Sequence, residues 1–478
     1  MISSLENRRI RFDILRIPLL GHFLKWRHSR TAMQIVLFAL AAAIIIDGLF
    51  GTQLAAKNVA TVGVWVHYRG IVVFALLLVG NLFCAACPFM LPRKLAKWIG
   101  KPTRRWPQFL RNKWLALVGL IFIIYTYELF DLWSSPWWTA WLAVAYFATA
   151  FVLEAFFTRS SFCMYVCPLG SFNFLYSTVS PTQITSRDLQ TCRDCVGKEC
   201  INGSETQNGC DLELFVPTIQ SNMNCTLCLD CVKACPHDNV ALTVRPPGDE
   251  LFRQNWPHRL DLAFLAIMAS SVGLINAFGM TPPVYRLELY LGDLFNTQSE
   301  AIVLGFIYIV SVVLAPLLLA YSAAWIGRTI SRQTISLNRL LMRHAYSFVP
   351  LGLAIWTAHY LFHFVIAAMT IVPAFQDFFA RTLNWPILGQ SDWQMPARYV
   401  PSFTSVQVWQ SIIMYIGLFA AVGLTIYAAR NAHKGEANGR NAALLEALPW
   451  IAVLLVIAVA SGITFLLPME MRGSPLGG

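Results

Sequence analysis

Uninterrupted apolar runs of about 20 residues recur along the chain between polar stretches. Nine are centred on residues 32–50, 69–90, 114–132, 138–157, 260–280, 300–325, 346–372, 408–429 and 448–467. A helix needs roughly 20 predominantly apolar residues to cross the hydrocarbon core of a bilayer. The flanks of these runs are rich in Trp, Tyr, Lys and Arg, which suit the membrane interface. The pattern predicts an all-α polytopic membrane protein with about nine transmembrane helices. The first 30 residues are basic (Arg8, Arg9, Arg11, Arg16, Lys25, Arg27, Arg30), but neither a short apolar core nor a small-residue cleavage site follows. The first run therefore reads as an uncleaved span rather than a signal peptide.

Composition agrees, because only 13% of the residues are charged and 56% are hydrophobic, whereas soluble domains are about one quarter charged. A net charge of +11 would suit a nucleic-acid partner. The basic residues, however, fall in alternate loops, which is how membrane orientation is encoded. With the N-terminus inside, only Lys57, Arg69, Arg286, Arg381, Arg398 and Arg472 lie outside, leaving 30 of the 36 Lys and Arg on the cytoplasmic side. The expectation is an N-in, C-out protein of the inner (cytoplasmic) membrane that binds no nucleic acid, with the aromatic-rich 373–407 loop on the outer side.

Cysteine placement divides the chain. Segment 1–157 carries four spans and the motif Cys84-Ala-Ala-Cys87-Pro88. Segment 158–258 is polar and holds ten of the twelve cysteines, beginning with Cys163-Met-Tyr-Val-Cys167-Pro168. Segment 259–478 carries five spans and no cysteine. Because the charge pattern puts all twelve at or inside the cytoplasmic face, where thiols stay reduced, metal ligation accounts for them better than disulfides do. Cys225-Thr-Leu-Cys228-Leu-Asp-Cys231-Val-Lys-Ala-Cys235-Pro236 fits the bacterial ferredoxin run C-x2-C-x2-C-x3-C-P at every position. In that pattern three thiolates cap one cubane and the fourth reaches a second. An upstream group exists: Cys192, Cys195 and Cys200, followed by Cys210. Crossed ligation then assigns Cys192, Cys195, Cys200 and Cys235 to one [4Fe-4S] cluster, and Cys225, Cys228, Cys231 and Cys210 to the other. The upstream group is stretched, and Asp211 stands where Pro is usual, so a structural zinc site stays open there. The segment is expected to be a small cytoplasmic two-cluster ferredoxin-like α+β insert, a relay rather than a catalytic centre.

Over about residues 30–245 the chain resembles membrane polyferredoxins of the NosR and NapH type, in which transmembrane hairpins end in Cys-x3-Cys-Pro motifs beside a two-cluster ferredoxin domain. Cys163 to Pro168 matches that motif, and Cys84 to Pro88 is one residue short. The resemblance implies electron transfer linked to the quinone pool, with delivery to a periplasmic reductase or a flavin-bearing partner. The flavin-binding domain of NosR has no counterpart ahead of the first span, so a separate subunit is expected to bring any flavin. The NosR role in nitrous oxide reduction does not carry over.

Two further constellations have open readings. Cys84, Cys87, Cys163 and Cys167 sit where helices enter the cytoplasm; pairing of the hairpins would gather four thiols able to hold iron, zinc, copper or a further cluster, or to act as dithiols. The alternative is that Cys and Pro merely end helices. His359 and His363, four apart, share one helix face at depth in the seventh run. A quinol or proton site, a haem or other metal, and plain packing are all open. One haem cannot be clasped by both, since axial ligands approach from opposite sides. His344 reads as near the surface, and Glu154 as an interfacial carboxylate without a role. The leading reading is a quinol dehydrogenase-like electron-transfer subunit. A redox-responsive regulator or copper maturation factor, and transport through the five cysteine-free spans, are the competing classes.

Overall fold

The computed structural model describes residues 12–254, 256–436 and 438–469. Arg8, Arg9, Arg11 and Arg472, which enter the charge pattern above, lie outside the described residues. Eight helices are long and apolar enough to cross a membrane: Ser29–Phe50, Val59–Leu78, Pro136–Phe156, Leu260–Phe278, Glu300–Ile330, Leu337–Thr382, Phe403–Ala432 and Gly439–Leu466. A ninth apolar helix, Trp114–Leu129, is shorter. The chain is a mostly helical multi-pass membrane protein, as the apolar periodicity predicts.

One span is displaced. Residues 69–90 were the expected second span, but the helix runs Val59–Leu78 and ends before Gly80, whose φ of +87° is open only to glycine at low cost. Asn58 caps its start by accepting the Ala60 N–H at 2.8 Å. Arg69 is consequently not in an outer loop but buried in the helix interior. Between the fifth and sixth spans the chain also forms an unforeseen helix, Pro282–Phe295.

The chain divides into two compact units, and the division falls within helices rather than at loops. The first comprises Met1–Ala42, Phe74–Ala116 and Ala143–Trp256; the second comprises Ala43–Val73, Leu117–Leu142 and Pro257–Gly478.

The first unit contains the cysteine-rich insert. Its only sheet among the described residues pairs β1 (Thr182–Ser186) antiparallel with β2 (Val240–Val244), from Thr182 opposite Val244 to Ser186 opposite Val240. The apolar side packs Ile184, Val240 and Leu242 against Val216, Leu227, Leu229 and Val232. The chain ahead of the first span is tied to the same sheet. Asp13 bridges to Thr243, accepts the Leu242 N–H at 3.3 Å, and accepts the Arg187 guanidinium at 2.8 Å. At the Thr182 end of β1 Asn222 donates to the Thr182 and Ser177 carbonyls at 2.7 and 2.9 Å.

The second unit is a helical bundle around Ile267, Phe348, Leu351, Ile355, Trp450 and Leu454. Small residues let its helices approach, as is usual where lipid supplies no hydrophobic drive. A Cβ on Gly417 would lie 2.3 Å from the Ala354 Cβ.

Candidate functional site: the cysteine centres

The run from Cys225 to Cys231 folds as a tight loop because two of its leucines, Leu227 and Leu229, take the left-handed conformation at φ +52° and +59°. For an L-residue that conformation costs roughly 1–2 kcal/mol. It persists only where the surroundings impose it, and such outliers concentrate at ligand sites. Here both side chains are buried in the insert core. The turns bring Cys225, Cys228 and Cys231 around one cavity, and Cys210 enters from the upstream segment to complete its lining. Past the loop, the short helix Asp230–Ala234 carries Cys235 away from this ring. Cys235 lines a second cavity together with Cys192, Cys195 and Cys200. Both cavities are partly open to solvent. The eight insert cysteines thus line two cavities, four at each.

Hydrogen bonds aim at the sulfurs. The Asn239 side-chain amide donates to Cys192 Sγ at 3.2 Å and its backbone N–H to Cys235 Sγ at 3.4 Å. Burial pushes the Cys192 thiol up to about 11, and the Cys225 and Cys228 thiols up to about 12. Burial thus disfavours the thiolate form at each of these sulfurs.

Thiol spacing bears on the zinc alternative. Tetrahedral zinc, with Zn–S bonds near 2.3 Å, would draw four sulfurs to about 3.8 Å from one another. Among the described residues no three His, Cys, Asp or Glu groups converge on a single-ion position.

Asp211, which stands in place of the usual proline, is an ion-pair centre. Arg93 contacts it, Arg30 lies 3.4 Å away, and Arg30 also contacts Asp230. Burial by itself would raise the Asp211 carboxyl, but Arg93 and Arg30 hold it below the usual range. Glu154, two residues from the end of the Pro136–Phe156 span, belongs to this network: it is buried and 2.7 Å from Arg93.

His359 is fully buried and His363 half-buried, with their Nε2 atoms 3.1 Å apart. One ring must donate and the other accept. His359 Nδ1 is buried without a hydrogen bond among the described residues. Sequence reasoning missed what surrounds them. Arg69 lies within electrostatic reach of both rings. It is caged by Trp65 and Tyr127 at 4.3 Å and by Tyr360 at 5.2 Å. His67 also lies in this span, its ring nitrogens 3.0 and 2.8 Å from the Val62 and Ala368 carbonyls. His344, expected near the surface, is fully buried with Glu446 at 2.8 Å.

The chain is 33% identical over 146 residues to the "Putative electron transport protein YccM" of Escherichia coli (strain K12). The alignment covers 30% of this chain and 38% of that relative, so the chain matches well under half of its length. No family model and no solved structure matches the chain.

Proposed function

We propose that this chain is a membrane-embedded electron-transfer protein whose insert holds two [4Fe-4S] clusters on the cytoplasmic side and connects the quinone pool to a redox partner. One observation carries the reading: two neighbouring cavities, each lined by one of the four-cysteine sets that a two-cluster ferredoxin requires. The partial likeness to a protein described as an electron transport protein supports it. So does the resemblance to NosR and NapH type polyferredoxins.

When bound, each cluster takes up and releases one electron. The chain's own residues do the rest. Leu227 and Leu229 fix the loop, Asn239 donates to the sulfurs of both Cys192 and Cys235, and Arg30 places positive charge beside Cys228. All eight ligand positions are cysteines, so no coordination site is left open for substrate chemistry, and the insert conducts. His359 and His363 are the candidate proton acceptors for quinol, since neutral imidazole can take a hydroxyl proton as the electron leaves.

The test is metal analysis of anaerobically purified protein. The insert contributes about eight irons and eight acid-labile sulfides per chain, from two cubanes. Replacing Cys225, Cys228 and Cys231 by Ser removes about four of each. Zinc in place of iron, or an iron content that these substitutions leave unchanged, would refute the cluster assignment.

A further inference from the structure

The cysteine-free half holds an unbroken hydrogen-bonded series of titratable side chains, all within the second unit. It starts at Glu436, in the turn between the last two spans, whose side chain is 54% exposed. The Glu436 carboxylate lies 2.7 Å from His433 Nδ1. The opposite ring nitrogen, His433 Nε2, lies 2.9 Å from Glu446 Oε2. The other oxygen of Glu446 lies 2.8 Å from His344 Nε2. The series ends at His344 Nδ1, which is buried and makes no hydrogen bond among the described residues. The His433 side chain is 1% exposed, and those of Glu446 and His344 are fully buried. The series therefore leads from solvent into the interior of the bundle.

Four elements bring these groups together. Helix Phe403–Ala432 stops just before His433, and the chain turns there, with Gly435 at φ +96° and the Glu436 N–H on the His433 carbonyl at 3.2 Å. Glu446 is the eighth residue of Gly439–Leu466, about 10 Å along that helix at 1.5 Å per residue. Helix Ala315–Ile330 approaches at Gly327, where a Cβ would stand 2.9 Å from the Glu446 carbonyl oxygen. His344 closes the short helix Leu337–His344 and stacks on Trp450 at 4.9 Å. Two further side chains face the series. Arg343 donates to both oxygens of Glu446 at 2.8 and 2.9 Å, which balances the charge of a buried carboxylate. The Gln333 side-chain amide lies 2.6 Å from His433 Nε2, and an amide can offer a ring nitrogen either an N–H or a carbonyl.

We propose that Glu436, His433, Glu446 and His344 form a proton path between solvent and the interior of the helical half. Ionisable side chains within spans are costly and mark functional sites, proton relays among them. A ring with a carboxylate at each nitrogen satisfies one of them when neutral and both when protonated, so His433 is placed to hold and exchange a proton. With Glu446 ionised, His344 donates its Nε2–H to the carboxylate and turns the Nδ1 lone pair inwards. A hydronium ion reaching Nδ1 gives it a proton, and the imidazolium releases its Nε2 proton to Glu446. Glu446, after turning its carboxyl group, passes that proton to His433 Nε2. His433 releases its Nδ1 proton to Glu436, which loses it to solvent. Every step breaks one N–H or O–H bond and makes another, and no electron moves; the same steps reversed carry a proton inwards. Arg328, Arg332, Arg430, Lys434 and Arg440 flank this mouth, on the side expected to be cytoplasmic. The path uses neither the insert nor the quinol reading of His359 and His363, so either can fail without the other.

The experiment is deuterium exchange of the His344 ring N–H, followed by NMR of the full chain labelled with nitrogen-15 histidine, in detergent. The His344 signal is identified by its loss in His344→Gln. Glu446→Gln keeps a side chain of the same size that can hydrogen-bond but cannot take up and release a proton. It is expected to slow the exchange about a hundredfold, the low end of what a positioned acid–base group contributes. Glu436→Gln, at the solvent end, is expected to slow it as well. A network that only ties helices together predicts the opposite sign, because loosening a buried region speeds its exchange. Exchange in either variant that is as fast as in the wild type, or faster, would overturn the proposal. Should Glu446→Gln not accumulate, Glu436→Gln decides, since its side chain is largely exposed and carries no part of the bundle core.

Discussion

Glu446 shows how much chemistry a helical half without cysteines can hide. Its carboxylate takes the Arg343 guanidinium at 2.8 and 2.9 Å, His344 Nε2 at 2.8 Å and His433 Nε2 at 2.9 Å, with Trp450 stacked on His344 at 4.9 Å. All of this lies in the second unit, and Glu446, His344 and His433 are buried. Removing one partner of a buried ionic group strands the others, at a cost of about 3–5 kcal/mol. Glu446→Leu is therefore expected to lower the thermal midpoint in detergent, and an unchanged midpoint would show that these bonds contribute nothing. The His359–His363 pair gives a second outcome. Replacing both by Leu is expected to leave the EPR signals of the insert intact while slowing their reduction by quinol by on the order of tenfold or more, the low end of what a positioned base contributes. Reduction at the wild-type rate would place quinol elsewhere. The eight insert cysteines were legible in the sequence because their spacing encodes a local loop. His344 and Arg69 were not. The burial of His344 depends on Glu446 and Trp450, a hundred residues away, and Arg69 is hidden by an aromatic cage whose members come from three different helices.

Among the elements, the apolar runs located nearly every span, and the one that moved did so for a local reason. Residues 59–90 are almost continuously apolar, so hydropathy alone cannot decide where a 20-residue helix sits within them. Gly80 decides it. Its φ is +87°, and a Cβ there would stand 2.6 Å from Ser180 Oγ, 2.7 Å from Thr182 Oγ1 and 2.9 Å from Leu227 Cδ1. The next residue, Asn81, donates to the Cys225 carbonyl at 3.1 Å. The end of the second span is thus moulded to the loop that carries three of the cysteines, within the first unit. Gly80→Val combines a disfavoured φ with overpacking, each worth about 1–3 kcal/mol. It is expected to lower both the midpoint temperature and the iron retained on purification, because the clash falls on the Leu227 turn. A variant with full iron content would show that the turn is set independently of Gly80.

At the scale of the whole chain, the open question is how many times it crosses the bilayer before the insert. Three helices in that stretch are long enough without argument; Trp114–Leu129 has 16 residues, about 24 Å at 1.5 Å per residue, against about 30 Å of hydrocarbon. If it did not cross, residues 12–28 and the insert would lie on opposite faces. They are instead bonded to one another within the first unit: Asp13 to Leu242 and Arg187, the Phe12 carbonyl to the Val244 N–H at 3.2 Å, and Lys25 to Asp238 at 3.1 Å. Two segments that share a sheet share a side, so the number of crossings between them is even and the short helix must be the fourth. Local thinning and flanking Lys113 and Trp114 accommodate such a mismatch at modest cost. Five long helices follow the insert, so the odd count leads to the expectation of a C-terminus on the opposite side. The charge pattern gives the expected direction, and that expectation survives the reassignment of Arg69, since moving that residue into a helix only lowers the outer count. Reporters fused at the N-terminus, after residue 105 and after residue 220 are expected to read cytoplasmic, and one at the C-terminus periplasmic. A reporter after residue 220 that reads opposite to the N-terminal one would show that Trp114–Leu129 does not cross, and would refute the contact between Asp13 and the insert sheet with it.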